Sequence, residues 1–206
     1  MMTAGGLTAA AAGEIVLMLL YAARVKGKIG GDRHVFKVLP TLLPVFLGLS
    51  GALMWHRNGS GMTVAGLVLC AAADWLIEDA FLPGMGCFAL AHLALIAGFL
   101  TAGGVNIGTA VLFAAFLAPL LYLLIRFRKG LKPFPAYVLY AVLLCAMAAL
   151  SYGQSPLAGI GGLLFVLSDS ILGCRRAGLR MPRFSSALCL GAYWTGLTLI
   201  AFSLLI

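Results

Sequence analysis

Acidic side chains are scarce in this sequence: 206 residues hold six Asp and Glu against fourteen Lys and Arg. Charged residues make up 10% of the chain, where an ordinary soluble domain carries about 25%. Together with a hydrophobic fraction of 63% and a mean hydropathy of +1.08, this shortage excludes a soluble fold. Long polar stretches are missing as well. The chain divides into eight apolar segments, roughly 5–25, 36–55, 63–82, 84–102, 107–126, 134–152, 157–174 and 184–206. Each is near the ~20 residues that cross a bilayer as a helix. What remains is too short for a soluble domain. The predicted fold is all-α: one polytopic membrane helix bundle of eight transmembrane helices, spanning residues 1–206.

Motifs for metals, nucleotides and serine nucleophiles are also lacking. Cys70, Cys87, Cys145, Cys174 and Cys189 are scattered through apolar segments at no metal-ligand spacing and read as packing residues. There is no HExxH pair and no glycine-rich phosphate loop followed by Lys-Ser or Lys-Thr. Ser168 precedes Asp169 and so points elsewhere on a helix, which leaves no Ser-His-Asp pattern. No metal or cofactor is expected. The first segment has no basic stretch ahead of it, and its positive charges follow the apolar run. It reads as a retained helix, not a cleaved signal peptide.

A net charge of +8 would suggest nucleic acid in a soluble chain. Its distribution points to a membrane, with no nucleic-acid partner. Arg24, Lys26, Lys28, Arg33 and Lys37 flank the first loop. Arg126, Arg128, Lys129 and Lys132 fill the fifth, and Arg175, Arg176, Arg180 and Arg183 the seventh. Arg57 alone lies in an even-numbered loop, so thirteen of the fourteen basic residues share one side if eight helices cross. This is the positive-inside pattern. It predicts that loops one, three, five and seven are cytoplasmic and that both termini lie outside.

Two aspartates stand well inside spanning segments: Asp74 in TVAGLVLCAAADWLIEDAF and Asp169 in LAGIGGLLFVLSDSILGC. An ionisable group there costs several kcal/mol, on the order of 3 or more, unless it is paired, wet or neutral. The helical rise places Asp74 roughly 12 Å and Asp169 about 7 Å from the cytoplasmic ends of their helices. His92 lies about 12 Å up the fourth helix, and Tyr193 and Glu14 roughly 13–16 Å from the same face. Any one of these is most simply a buried hydrogen-bond partner. Five on five helices at one depth predict a polar site. Glu78 and Asp79 sit at a helix end beside Pro83-Gly84 and read as solvated. Glu78, four residues from Asp74 on the same face, is placed to line the entrance.

Sliding the chain by 95 residues lays Gly66 to Asp74 over Gly161 to Asp169, each with a glycine eight positions before its aspartate. A parallel four-plus-four repeat would explain the match. Pro40, Pro44 and Pro119 lie inside segments and are expected to kink them.

Several stretches resemble a known group. Gly66-Leu67-Val68-Leu69 through Ala73-Asp74, followed by Phe81, Gly86, Phe88 and Ala91-His92, looks like the third and fourth helices of the YhhN-like lysoplasmalogenase membrane family. Gly162 to Ser170, with Phe165 and Ser168-Asp169, is similar to that family's G-x-L-x-F-x-x-S-D segment. Phe36-Lys37 before Pro40-Thr41 resembles its F-K-P-L-T approach to the second helix, and Tyr193-Trp194 its last-helix tyrosine. The chain departs from the pattern at Ala73 (usually Gly), at Leu95 (often Tyr) and at Leu197 (commonly Gln). These departures leave the carboxylates intact.

The resemblance implies hydrolysis of the vinyl-ether bond of lysoplasmalogens to a fatty aldehyde and a glycerophospho-headgroup, in a bacterial cytoplasmic membrane. The partners it implies are a lysoplasmalogen or related single-chain lipid, and membrane lipids. The chemistry suits the residues. An enol ether opens by protonation of its β-carbon, which leaves an oxocarbenium ion for water to attack. One carboxyl must hold a proton and another must carry charge or activate water, a division that burial and carboxyl–carboxyl repulsion both promote. Asp74 and Asp169 are the expected acid/base pair, with Asp74 the donor and Asp169 the ionised partner, and His92 orients a carboxylate or the water. Glu14, Tyr193, Ser168, Lys37 and Glu78 are expected around the substrate, and the basic rim would attract its phosphate.

Two other classes use buried carboxylates. A proton-coupled transporter would place polar residues along a path to the outer face, but the outer halves here are almost wholly apolar. An intramembrane aspartyl protease would carry Gly-x-Gly-Asp and Tyr-Asp, where this chain has Ala72-Ala73-Asp74 and Leu167-Ser168-Asp169. A purely structural membrane protein is the remaining alternative. Reporter fusions at Arg128 and at the C-terminus should report opposite sides of the membrane. The same side for both would contradict eight crossings.

Overall fold

Inside a bilayer no water is available to backbone N–H and C=O groups, so each apolar run must satisfy its own by folding as a helix. The computed structural model describes residues 4–206, and among them are eight α-helices and no strand. They are α1 (Ala4–Val25), α2 (Arg33–Trp55), α3 (Ser60–Asp79), α4 (Phe81–Gly103), α5 (Ile107–Arg126), α6 (Phe134–Gln154), α7 (Pro156–Arg176) and α8 (Ser185–Phe202). All eight are long and apolar enough to cross a membrane. The protein is an integral multi-pass membrane protein.

Polar residues at the loops set where the helices start. The Asp32 carboxylate accepts from the His34 backbone N–H at 2.9 Å and caps α2. Asn106 and Thr109 form a reciprocal capping box on α5, and Ser155 accepts from the Ala158 N–H ahead of α7. Each cap satisfies donors that a helix start otherwise leaves unpaired. The turn between α3 and α4 differs from the sequence reading. The segment expected to run to 82 ends at Asp79, and Ala80 alone, in extended conformation, turns the chain into α4. Phe81 therefore begins the next helix. Pro40 and Pro44 sit inside α2, and Pro119 inside α5.

The odd-numbered loops meet at one end. Lys37 of α2 pairs with Glu78 of α3 at 2.7 Å. The Arg176 guanidinium of α7 lies 3.8 Å over the Phe81 ring, and Phe81 stacks on Tyr137 of α6. At the other end Arg57 donates to the Ser203 carbonyl, and Gln154 to the Ser203 hydroxyl. Thirteen of the fourteen basic residues thus lie toward one end of the bundle, called here the basic end.

Helices α2, α3, α4, α6, α7 and α8 pack in that order into a closed ring. Helix α1 lies outside it against α2 and α8, and α5 lies outside against α6. The ring interior holds Leu67, Leu95, Phe99, Phe165, Trp194 and Leu197, with Thr41 and His92 fully buried among them. Small residues let the backbones approach, as is usual between membrane helices. A Cβ at Gly161 would lie 2.6 Å from the Gly196 carbonyl of α8, and one at Gly196 would lie 2.8 Å from the Gly161 carbonyl. A Cβ at Gly66 would meet Leu95 of α4 at 2.6 Å. The two glycines that precede the aspartates therefore each sit where their helix crosses the next.

The α7–α8 contact has no room for a side chain. Gly161→Val is expected to destabilise the bundle by about 1–3 kcal/mol through overpacking. Gly86→Ala, where a methyl meets nothing within 4 Å, should not. Thermal denaturation in detergent distinguishes the two.

Candidate active site

Asp74 is 2% exposed on the inner face of α3, and the groups around it fix the direction of its hydrogen bonds. The Trp194 indole N–H can only donate, and it does so to the Thr41 hydroxyl oxygen at 3.2 Å. Thr41 in turn donates its proton to Asp74 Oδ2. The Tyr193 hydroxyl donates to the same oxygen at 2.9 Å. Helices α2 and α8 therefore direct two O–H groups at one carboxylate oxygen.

Asp169 on α7 is held differently. Its Oδ2 accepts from the Tyr140 hydroxyl of α6. The Tyr140 oxygen is 3.1 Å from His92 Nε2 on α4, and His92 Nε2 is 4.0 Å from Asp169 Oδ2. His92 is fully buried, and its Nδ1 has no hydrogen-bond partner among the described residues. The Asp169 side chain is 12% exposed because it lines a cavity of about 40 Å³ with Ile77, Phe81, Met85, Phe88, Tyr137, Tyr140, Leu172 and Gly173. Asp74 does not line this cavity.

Aromatic rings join the two carboxylates. Tyr193 packs edge-on against Phe165 (5.3 Å between centroids) and Phe88 (5.7 Å), Phe165 against His92 (5.0 Å), and His92 against Tyr140 (5.2 Å). Edge-to-face pairs of this kind favour one relative orientation by about 0.5–1.5 kcal/mol each. Asp74, Tyr193, Phe165, His92, Tyr140 and Asp169 form a continuous line of contacts across the ring of helices. Among the described residues no group of three or more His, Cys, Asp or Glu side chains is placed to hold a metal ion.

The other residues singled out in the sequence lie apart from this line. Glu14 is buried on α1 with Thr198 of α8 as its polar neighbour, and no hydrogen bond joins it to either aspartate. The Ser168 hydroxyl faces Cys189 Sγ of α8 at 3.5 Å, away from Asp169. Glu78 is not solvated as expected. Its side chain is 7% exposed and bridges Arg33 and Lys37, each at 2.7 Å. The α2 and α3 ends come together there and cover it. Asp79 is exposed and pairs with His34 at 2.8 Å. The same imidazole bonds Asp32, whose carboxyl it holds below the usual range. Three partners were missed. Thr41 and Trp194 stood in quoted motifs without a role, and Tyr140 in an apolar run gave no signal.

The YhhN family model matches residues 33–204. The chain belongs to the YhhN family. It is also similar to lysoplasmalogenase TMEM86B of Homo sapiens, with 36% identity over 146 residues, 66% of this chain and 62% of that protein. The chain thus spans less than two thirds of that relative's length. No solved structure matches it. The matched region of the YhhN family contains both aspartates and all of their hydrogen-bond partners.

Thr41→Val keeps the shape of the side chain but leaves the Trp194 N–H without an acceptor and Asp74 with one donor fewer. A buried group left unsatisfied costs about 1–3 kcal/mol. Thermal denaturation in detergent should show that loss for Thr41→Val and little of it for Thr41→Ser.

Proposed function

We propose that this protein is a membrane hydrolase that opens the vinyl-ether bond of lysoplasmalogens, releasing a fatty aldehyde and a glycerophospho-headgroup. The observation that carries the reading is Asp169: a carboxyl at the wall of an otherwise apolar cavity, hydrogen-bonded through Tyr140 to a buried histidine. Membership of the YhhN family and likeness to a protein named lysoplasmalogenase support it.

The hydrogen bonds favour the reverse of the roles expected from the sequence. Asp74 receives two hydroxyl donors, is sealed from the cavity and serves as the fixed negative charge. Asp169 receives one and faces the cavity, so it is the group that meets substrate and carries the proton. In the proposed reaction Asp169 protonates the β-carbon of the vinyl ether, and the resulting cation is shared between the α-carbon and the ether oxygen. The Phe88 ring in the cavity wall and the Asp74 charge behind Tyr193 stabilise that cation, a use of aromatic faces and preorganised charge. Water adds to the α-carbon and gives its proton to the Asp169 carboxylate. The hemiacetal then collapses to the aldehyde and a glycerol hydroxyl, and the acid is restored. Tyr140 and His92 position Asp169: the Tyr140 hydroxyl gives its proton to Oδ2, and His92 Nε2 supports the Tyr140 oxygen from behind. The cavity admits only the reacting end of the lipid, with the rest of its chain left in the bilayer. The positive-inside bias supports a cavity on the cytoplasmic side.

Purified protein in detergent, incubated with a lysoplasmalogen, should release aldehyde detectable by mass spectrometry. Asp169→Asn keeps the shape and removes the titratable group, so turnover should fall about 10²–10⁴-fold, the usual contribution of an acid–base group. Asp74→Asn should also lower turnover by orders of magnitude, and His92→Ala should hurt less than either. Full hydrolysis by both Asn variants would return the aspartates to a structural role.

A further inference from the structure

One ring in the wall of the Asp169 cavity, Phe81, carries the Arg176 guanidinium. We infer that Arg176 is the anchor for the phosphodiester of the substrate lipid, holding the headgroup at the basic end while the vinyl ether reaches Asp169. The inference rests on the proposed hydrolysis and adds to it the residue that reads the headgroup.

Helix geometry supplies the first argument. Arg176 is seven residues beyond Asp169 on α7, nearly two full turns, so the two lie on one face separated by about 10 Å of rise. Between them on that face, Leu172 and Gly173 line the cavity. The adjacent Arg175 projects from a different face. The β-carbon that Asp169 protonates and the phosphorus of the same lysolipid are seven bonds apart, roughly 9 Å when extended. The side chains of Asp169 and Arg176 close the remaining distance.

The second argument is how the guanidinium is held. Its Cζ lies 3.8 Å from the Phe81 ring centroid, and Phe81 stacks on Tyr137 at 6.2 Å with the planes 22° apart. Both rings line the cavity. A guanidinium flat on a ring keeps its N–H edges free for an anion, and its fork matches phosphate oxygens two at a time.

Availability is the third. Arg33 and Lys37, the cations nearest in kind at this end, are both engaged by Glu78. Among the described residues no carboxylate pairs with Arg176. It also sits in the last turn of α7, where a cation offsets the partial negative charge of the helix end that would otherwise repel phosphate.

The test measures kcat and KM for the full-length protein in detergent with two substrates: a phosphocholine lysoplasmalogen and the matching 1-alkenylglycerol without phosphate. For the phospholipid, Arg176→Gln should raise KM about 10- to 100-fold, the worth of a charge-assisted hydrogen-bonded contact, with a smaller change in kcat. Arg176→Lys should recover part of the loss. KM for the headgroup-free substrate should not move. An equal loss on both substrates would assign Arg176 to structure or to anchoring on bilayer phosphate, and would overturn the inference. No change on either would overturn it as well. Wild-type protein that cleaves neither substrate would instead remove the hydrolase reading, and this inference with it.

Discussion

A donor that cannot accept governs the centre of this molecule. The Trp194 indole N–H has one option inside a dry helix ring, which is to give its hydrogen to the Thr41 hydroxyl. Thr41 must then give its own proton onward, and Asp74 is the acceptor it faces. Three helices, α2, α3 and α8, are tied by this one-way chain, and Tyr193 adds a second donor from α8. In a low-dielectric interior a satisfied network of this kind orients its members firmly, whereas a broken one leaves costly orphans. The polarity of the whole Asp74 side follows from the indole.

The opposite side of the ring is built differently. Asp169 has Tyr140 as its single hydroxyl donor, and Tyr140 and His92 are groups that can either give or accept a proton. With the Tyr140 proton given to Asp169, the Tyr140 oxygen is left to accept from His92 Nε2. Access differs as well, because Asp169 borders the cavity and Asp74 does not. Two chemically identical side chains thus stand in different surroundings, one beneath two hydroxyl donors and away from the cavity, the other with one donor and bordering it. The rings of Tyr193, Phe165 and His92 keep the two environments apart while connecting them.

Much of this is legible in the sequence. Apolar runs of bilayer length predict helices because lipid leaves the backbone no other solution, and seven of the eight segments fall within a few residues of observed helices at both ends. The eighth, expected to reach residue 206, ends as α8 at Phe202. The turn between α3 and α4 was misplaced because a single residue, Ala80, makes it, and one alanine carries no turn signal. Asp74, Asp169 and His92 stood out because charge and imidazole are costly in an apolar segment. Tyr140 did not, since a tyrosine in a membrane helix is unremarkable until its neighbours are known. Glu78 was misread as solvated because the sequence does not show that Arg33 and Lys37 fold over it. Side-chain direction also separates Ser168 from its neighbour Asp169, a distinction that adjacency in sequence conceals.

The central claim is that a carboxylic acid in the cavity delivers a proton to carbon. Single-turnover hydrolysis of a lysoplasmalogen in light and heavy water tests it most directly. Proton delivery by Asp169 makes the reaction slower in heavy water and leaves one deuterium on the aldehyde carbon next to the carbonyl. A single-turnover rate indifferent to deuterium, with an unlabelled aldehyde, would contradict it.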